Sequence, residues 1–170
     1  MFVISGIIGE NLDFNLNKIE KIKKILNHRG PDYSNHICTK NAILIHNRLS
    51  IIDLKKRANQ PFESRNKSKI LVFNGEIYNF IEIKKELKKF NLRFTTNSDT
   101  EVLLMAYEKW GIDCVNKFEG MFAFAIYDLK RKKAFFARDR FGQKPIFFWK
   151  KNNKIHFASE IKGLIAAGYS

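Results

Sequence analysis

The chain has 170 residues, 45% of them hydrophobic and 16 of them phenylalanine, which excludes a disordered or low-complexity protein. A chain of this length buries roughly 70% of the surface its unfolded form exposes, so one domain with its own core is expected. Lys and Arg outnumber Asp and Glu by 31 to 17, a formal charge of +14 that raises nucleic acid or an anionic surface as a partner. The basic residues are scattered from positions 18–24 to 150–154, on helix faces and at turns, so they read as solvated surface and neither nucleic acid nor membrane is expected.

In chain order, an apolar first strand runs through MFVISGIIGE. Leu16, Ile19, Ile22, Ile25 and Leu26 then recur at helical spacing, and this amphipathic helix should stop near His28, where Gly30 and Pro31 disfavour helical backbone. NAILIHNRLSIID and KILVFNG are rich in β-branched residues and read as strands, separated by a polar loop. Phe80, Ile83, Leu87 and Phe90 share one face of a second helix. A third opens at Ser98, where Ser98 and Glu101 match a capping box ahead of Val102, Leu103, Ala106 and Trp110.

From Met121 the pattern alternates again. FAFAIYDL and AFFARD flank a basic turn at 130–132, and PIFFWK and IHFAS flank Asn152-Asn153, giving two hairpins. Strands with helices between them, followed by consecutive hairpins, predict an α+β fold with helices packed on mainly antiparallel sheets. Cys38 and Cys114 have no Cys or His at metal-ligand spacing, so buried free thiols in a reduced cytoplasmic protein are expected, with no metal site. The apolar start, about eight residues long with no basic segment before it, predicts neither signal peptide nor membrane span.

Three features could carry chemistry. Asn74-Gly75 after an apolar strand is a turn signal, but a glycine N–H beside an Asn amide also makes an oxyanion hole, with Glu76 next to it. Asp99, in the first turn of a predicted helix, suits the helix dipole and could equally bind a ligand. Arg48, in a strand of Ile and Leu, must reach solvent or meet a carboxylate, which a ligand could supply. His28, His36, His46 and His156 show no metal spacing and read as satisfied structural histidines.

Seven motifs then occur in order: HRGPD (28–32), NRLSIID (47–53), FNGEIYNF (73–80), SDTEVLL (98–104), GMFAFAIYD (120–128), RDRFGQKP (138–145) and FASEIKGL (157–164). With them the whole chain, 1–170, resembles the N-terminal glutaminase domain of the glutamine-hydrolysing asparagine synthetases, a class II (type-2) glutamine amidotransferase. The resemblance implies an N-terminal-nucleophile hydrolase fold, an αββα sandwich of two antiparallel sheets covered by helices. It implies release of ammonia from glutamine for asparagine biosynthesis, an amino-acid biosynthetic role. It also implies site roles. Arg48 would hold the α-carboxylate of glutamine, with Leu49, Ser50, Ile51 and Ile52 beside it. Asn74 and Gly75 would form the oxyanion hole, and Glu76 and Asp99 would hold the amino group.

Two departures qualify this. The family begins Met-Cys-Gly, loses the methionine, and uses the Cys as nucleophile and its amine as base; here Phe2 and Val3 stand at those positions. A phenyl ring has no lone pair or titratable proton, so no catalytic residue is assigned and a degenerate, hydrolytically inactive glutaminase is expected. Phe2 should also hinder removal of Met1, and Val3 is expected to narrow the space near the scissile amide. The family's synthetase domain, which uses ATP and Mg, has no counterpart in this sequence, so no cofactor is expected here. The alternative is a non-catalytic binding or scaffold module that pairs with a separate synthetase chain or with itself.

Overall fold

The computed structural model describes residues 2–13, 15–49 and 56–168. Two antiparallel sheets lie face to face. The first has the order β2-β3-β1-β9-β8, from β1 (Val3–Ile8), β2 (Tyr33–Thr39), β3 (Ala42–Arg48), β8 (Phe147–Lys151) and β9 (Lys154–Ala158). The second has the order β4-β5-β6-β7, from β4 (Phe62–Glu63), β5 (Lys69–Ile77), β6 (Gly120–Asp128) and β7 (Lys133–Arg138). Helices α1 (Leu16–Leu26) and α4 (Ile161–Ala166) cover the first sheet, and α2 (Phe80–Lys88) and α3 (Asp99–Trp110) the second.

Strand alternation produces the four layers, because successive side chains point to opposite faces. On β1 and β3, Val3, Ile43 and Ile45 pack with Ile19, Ile22 and Leu26 of α1. Their neighbours Ile4, Ala42 and Leu44 turn inward to meet Ile70, Val72, Ala125 and Tyr127 of the second sheet. On that sheet's outer face, Leu71, Phe73, Phe122 and Phe124 pack under α2 and α3. Strands buried on both faces read as unbroken apolar runs, which is why β3 and β5 stood out in the sequence.

Several local expectations change. Leu16 opens α1 but is 63% exposed, so the buried face begins at Ile19. Phe90 lies beyond the end of α2, with its ring under Lys109 Nζ at 3.8 Å, and the left-handed Asn91 stops any continuation. Cys114 is buried, but Cys38 is exposed on β2 and is not a core thiol. The two hairpins form as expected, the second around Asn152 and Asn153, both at positive φ. They belong to different sheets, so the segment between them crosses the sandwich. Of NAILIHNRLSIID, β3 takes 42–48, and the stretch from Ser50 lies outside the described residues. Among the described residues, no helix is long and apolar enough to cross a membrane.

Candidate amino-acid site at the strand ends

The β1–β3 ladder pairs Ile4 with His46 and Val3 with Asn47. Ile4 and His46 face the second sheet, whereas Val3 and Asn47 face the helices, where Asn47 Nδ2 donates to the Lys23 carbonyl at 2.9 Å. One step further, alternation puts Phe2 on the same inter-sheet side as Ile4 and His46. The Phe2 ring is half-buried and lies 5.7 Å from the His46 imidazole, centroid to centroid. Val3 therefore does not narrow the site as expected. It is 1% exposed in the core beneath α1, on the opposite face of the sheet.

Arg48 is buried, and its Nη1 donates to Asn59 Oδ1. The guanidinium thus neither reaches bulk solvent nor relies on a carboxylate alone. His46 is fully buried, and burial holds its pKa at about 3, so the ring stays neutral. Its Nε2 faces the Phe73 carbonyl at 3.2 Å, which makes Nε2 the protonated nitrogen and leaves Nδ1 an acceptor without a partner among the described residues. His36 Nδ1 is likewise unmatched, so these two histidines are not fully satisfied structural groups.

Asn74-Gly75 is not a turn. Both residues lie inside β5, opposite Ala123 and Phe122. A Cβ on Gly75 would sit 2.1 Å from the Met121 carbonyl, so glycine is needed for the close approach of β6. The register also says where the backbone groups of β5 point. Leu129 N–H donates to the Ser68 carbonyl and Tyr78 N–H to the Glu119 carbonyl, so even-numbered residues bond to β6 and odd-numbered residues face the other edge.

That other edge is covered by β4 only as far as Leu71. Beyond it, the Gln60 amide substitutes for a strand. Phe73 N–H donates to Gln60 Oε1 at 2.6 Å, and Gln60 Nε2 donates to the Phe73 carbonyl at 3.2 Å. Ile77 N–H donates to Asp99 Oδ2 at 3.2 Å. Between these two, Gly75 N–H points to the same open edge. Asn74 is fully buried with Nδ2 3.4 Å from Ser159 Oγ, and its Oδ1 is also unmatched.

Asp99 opens α3 but does not cap it; Ser98 does, accepting from Glu101 N–H. Asp99 is 5% exposed, and burial raises its carboxyl from 3.8 to about 6. Hydrogen bonds from Ile77, Thr100 and its own N–H oppose the rise, and the Glu76 charge adds to it. Glu101 departs from a capping box: its carboxylate accepts from Thr95 and Thr96 N–H, not from Ser98. This ties down the loop that delivers Asp99.

Glu76 is half-buried and shares its surroundings with Lys144, whose ammonium is destabilised by burial and by Arg29 and supported by Asp139 and Glu76. The Asp139 carboxylate takes backbone N–H groups from Phe122, Phe141, Gln143 and Lys144, and these outweigh its burial and hold it below the usual range. Arg48, Asn74, Gly75, Glu76 and Asp99 are therefore brought to one end of the sandwich. Leu49 follows Arg48 half-buried; Ser50, Ile51 and Ile52 lie outside the described residues. Asn59, Gln60, His46, Lys144 and Ser159 join the cluster without having been assigned from sequence. Lys144 and Ser159 lie within the RDRFGQKP and FASEIKGL motifs, whereas Asn59 and Gln60 carried no signal beyond the proline after them.

The sequence matches the glutamine amidotransferase domain over residues 1–169. This chain belongs to that family. It is 41% identical to asparagine synthetase [glutamine-hydrolyzing] 2 of Bacillus subtilis (strain 168) over 83% of its length. It is 37% identical to asparagine synthetase B [glutamine-hydrolyzing] of Escherichia coli (strain K12) over 87%. With asparagine synthetase [glutamine-hydrolyzing] 3 of Arabidopsis thaliana it shares 36% over 95%. The amidotransferase domain spans only 18%, 26% and 28% of these three proteins, respectively. Its fold is that of a solved glutamine phosphoribosylpyrophosphate amidotransferase from B. subtilis, with a TM-score of 0.78 at 21% identity, covering 99% of this chain and 44% of that one. A structure of the allosteric regulatory enzyme of purine biosynthesis gives 0.80 at 21% identity, covering 99% of this chain and 43% of that one. The αββα architecture is thus the N-terminal-nucleophile hydrolase fold.

Proposed function

We propose that this amidotransferase domain holds a free α-amino acid at the strand ends and does not hydrolyse glutamine. Arg48 meets the α-carboxylate; Asp99 and Glu76 meet the α-ammonium. Gly75 N–H and the Asn74 amide, set as an oxyanion hole, face the ligand's side chain. The observation that carries the reading is Phe2. At the end of β1, where an attacking group would stand, there is a phenyl ring packed on His46. Amide hydrolysis through an acyl-enzyme needs a lone pair at that position and a base to take its proton, and phenyl supplies neither. The neighbouring His46 is no substitute, because its one free nitrogen is buried and only weakly basic.

The relatives' names include glutamine hydrolysis and asparagine synthesis. In this domain we assign the glutamine-type pocket, and place the ATP- and Mg-dependent synthesis of asparagine in the part of the relatives it does not span. Ammonia release from glutamine tests the reading. No release is expected from the natural chain, and release is expected from Phe2→Cys alone, since Val3 faces away from the site. Glutamine hydrolysis by the unaltered chain would refute it.

One surface favours a second reading, a scaffold module that docks a separate synthetase-type chain. Every residue of β8 is exposed, and Phe147, Phe148 and Trp149 there adjoin α4, which presents Ile161 and Ile165. An apolar face of this kind suits a partner surface, and the domain accounts for less than a third of the length of the three asparagine synthetases named above. Association with a synthetase-type chain added in trans, lost in Ile161→Ser/Ile165→Ser, is the expected result; no association in the natural chain would exclude it.

A further inference from the structure

We infer that two copies of this chain pair edge to edge through β8, antiparallel about a two-fold axis at Trp149, so that the first sheet continues from one copy into the other. The inference is independent of the amino-acid reading and concerns the backbone edge of β8, beside the apolar face described above.

Among the described residues β8 closes the first sheet, with β9 on one side and no strand on the other. Two observations say which of its backbone groups face outward. Ser159 N–H donates to the Ile4 carbonyl at 2.8 Å, so odd-numbered residues here bond to β1, and Lys154, His156 and Ala158 bond to β8, where they meet Lys151, Trp149 and Phe147. The turn agrees. Asn152 and Asn153, both at positive φ, form a two-residue turn of the type closed by a hydrogen bond between the flanking residues, Lys151 and Lys154. Phe148 and Lys150 therefore direct their N–H and carbonyl groups to the open edge, and such groups are a template for a further strand.

The sequence of β8, FFWKK, is complementary to itself in one register. Antiparallel pairing centred on Trp149 sets Phe148 opposite the partner's Lys150 and Phe147 opposite the partner's Lys151. Each ammonium then meets an aromatic ring, and the outward groups of Phe148 and Lys150 satisfy one another. The two Trp149 side chains meet in the closer, non-hydrogen-bonded kind of pair. Parallel pairing, or centring on Lys150, sets lysine against lysine, and centring on Phe148 leaves Lys150 opposite Ile146, outside the strand. Phe147, Phe148 and Trp149 are 39%, 49% and 40% exposed, apolar area that the pairing takes from water. Such a contact uses the same patch on both copies and closes at two.

Sedimentation equilibrium of the whole chain tests this. The apparent mass of the natural chain should rise with concentration to twice its own. Lys150→Pro removes an outward N–H that the sheet does not use, and should stay single at every concentration with native circular dichroism. Trp149→Lys sets like charges directly opposite and should weaken pairing by roughly tenfold or more. For the register, Trp149→Cys in a Cys38→Ser background should form a disulfide between copies on oxidation, since a non-hydrogen-bonded pair brings the Cα atoms to about 4.5 Å. Phe147→Cys in that background should not, because position 147 faces position 151. A natural chain that stays single, or a dimer that Lys150→Pro and Trp149→Lys both leave intact, overturns the inference. Cross-linking at position 147 and not at 149 overturns the pairing about Trp149.

Discussion

Phe2 and Val3 are adjacent in the chain and serve different layers. Phe2 faces the other sheet and stands in the candidate site; Val3 faces α1 and is buried in the cluster that holds Leu12, Ile19, Ile22 and Ile45. Replacing both positions with Cys and Gly would join a functional change to a structural one. Val3→Gly removes a buried side chain and loosens a strand, and should cost about 3 kcal/mol. Denaturant unfolding should show this loss in Val3→Gly and in the double variant, but not in Phe2→Cys; an unaltered midpoint in Val3→Gly would place Val3 outside the core. From sequence, both residues read as changes at the reacting end. Only the ladder of β1 with β3 separates them, since a side chain's face depends on which strand it pairs with.

At the level of elements, the site is built from an unfinished sheet edge and a helix start. β4 pairs with two residues of β5 and then stops, so Gln60 and Asp99 take over the backbone groups of Phe73 and Ile77, and Gly75 is left between them. Burying Asp99 for this purpose lowers stability. Its folded value of about 6 lies above the ordinary 3.8, so between pH 4 and pH 6 the folded protein binds more protons than the unfolded one. Stability from this group is therefore full at the acid end, falls as pH rises through that window, and levels off above it.

Asp99→Asn keeps an acceptor for Ile77 N–H without the charge. It should raise stability at pH 8 by up to about 3 kcal/mol and flatten the slope between pH 4 and 6, as read by melting temperature at several pH values. Equal slopes in the two proteins would show that Asp99 titrates normally. The start of α3 was legible in Ser98 and in the apolar residues that follow it. The destination of Glu101 was not, because Thr95 and Thr96 lie before the cap and only the folded loop brings them to its carboxylate.

Across the whole molecule, two consecutive hairpins are divided between the sheets, with β6–β7 on one side and β8–β9 on the other. Asp139, collecting four backbone N–H groups, holds the crossing segment and carries Lys144 toward Glu76. This division leaves β8 as an exposed edge beside α4. Ile161 and Ile165 are 56% and 57% exposed, so Ile161→Ser/Ile165→Ser should shift the stability of the isolated domain by no more than about 1 kcal/mol while abolishing association with a synthetase-type chain. A large loss of stability would mean that this face belongs to the core. Of the basic residues behind the charge of +14, Lys23, Lys69, Lys117 and Lys162 each lie within 4 Å of a carboxylate.

Local order along the chain was enough to specify the class of fold, the helices α1 and α3, the strands β3, β5 and β6, and the residue types at Arg48, Asn74, Gly75, Glu76 and Asp99. Periodicity and capping act within a few residues, so they survive in a linear reading. The facing of Val3, the role of Gln60 at the open edge, the buried acceptors of His46 and Asn74, and the assignment of the last hairpin to the first sheet all depended on pairs far apart in sequence. Such pairs are set by strand register and by packing between layers, which no short stretch encodes by itself.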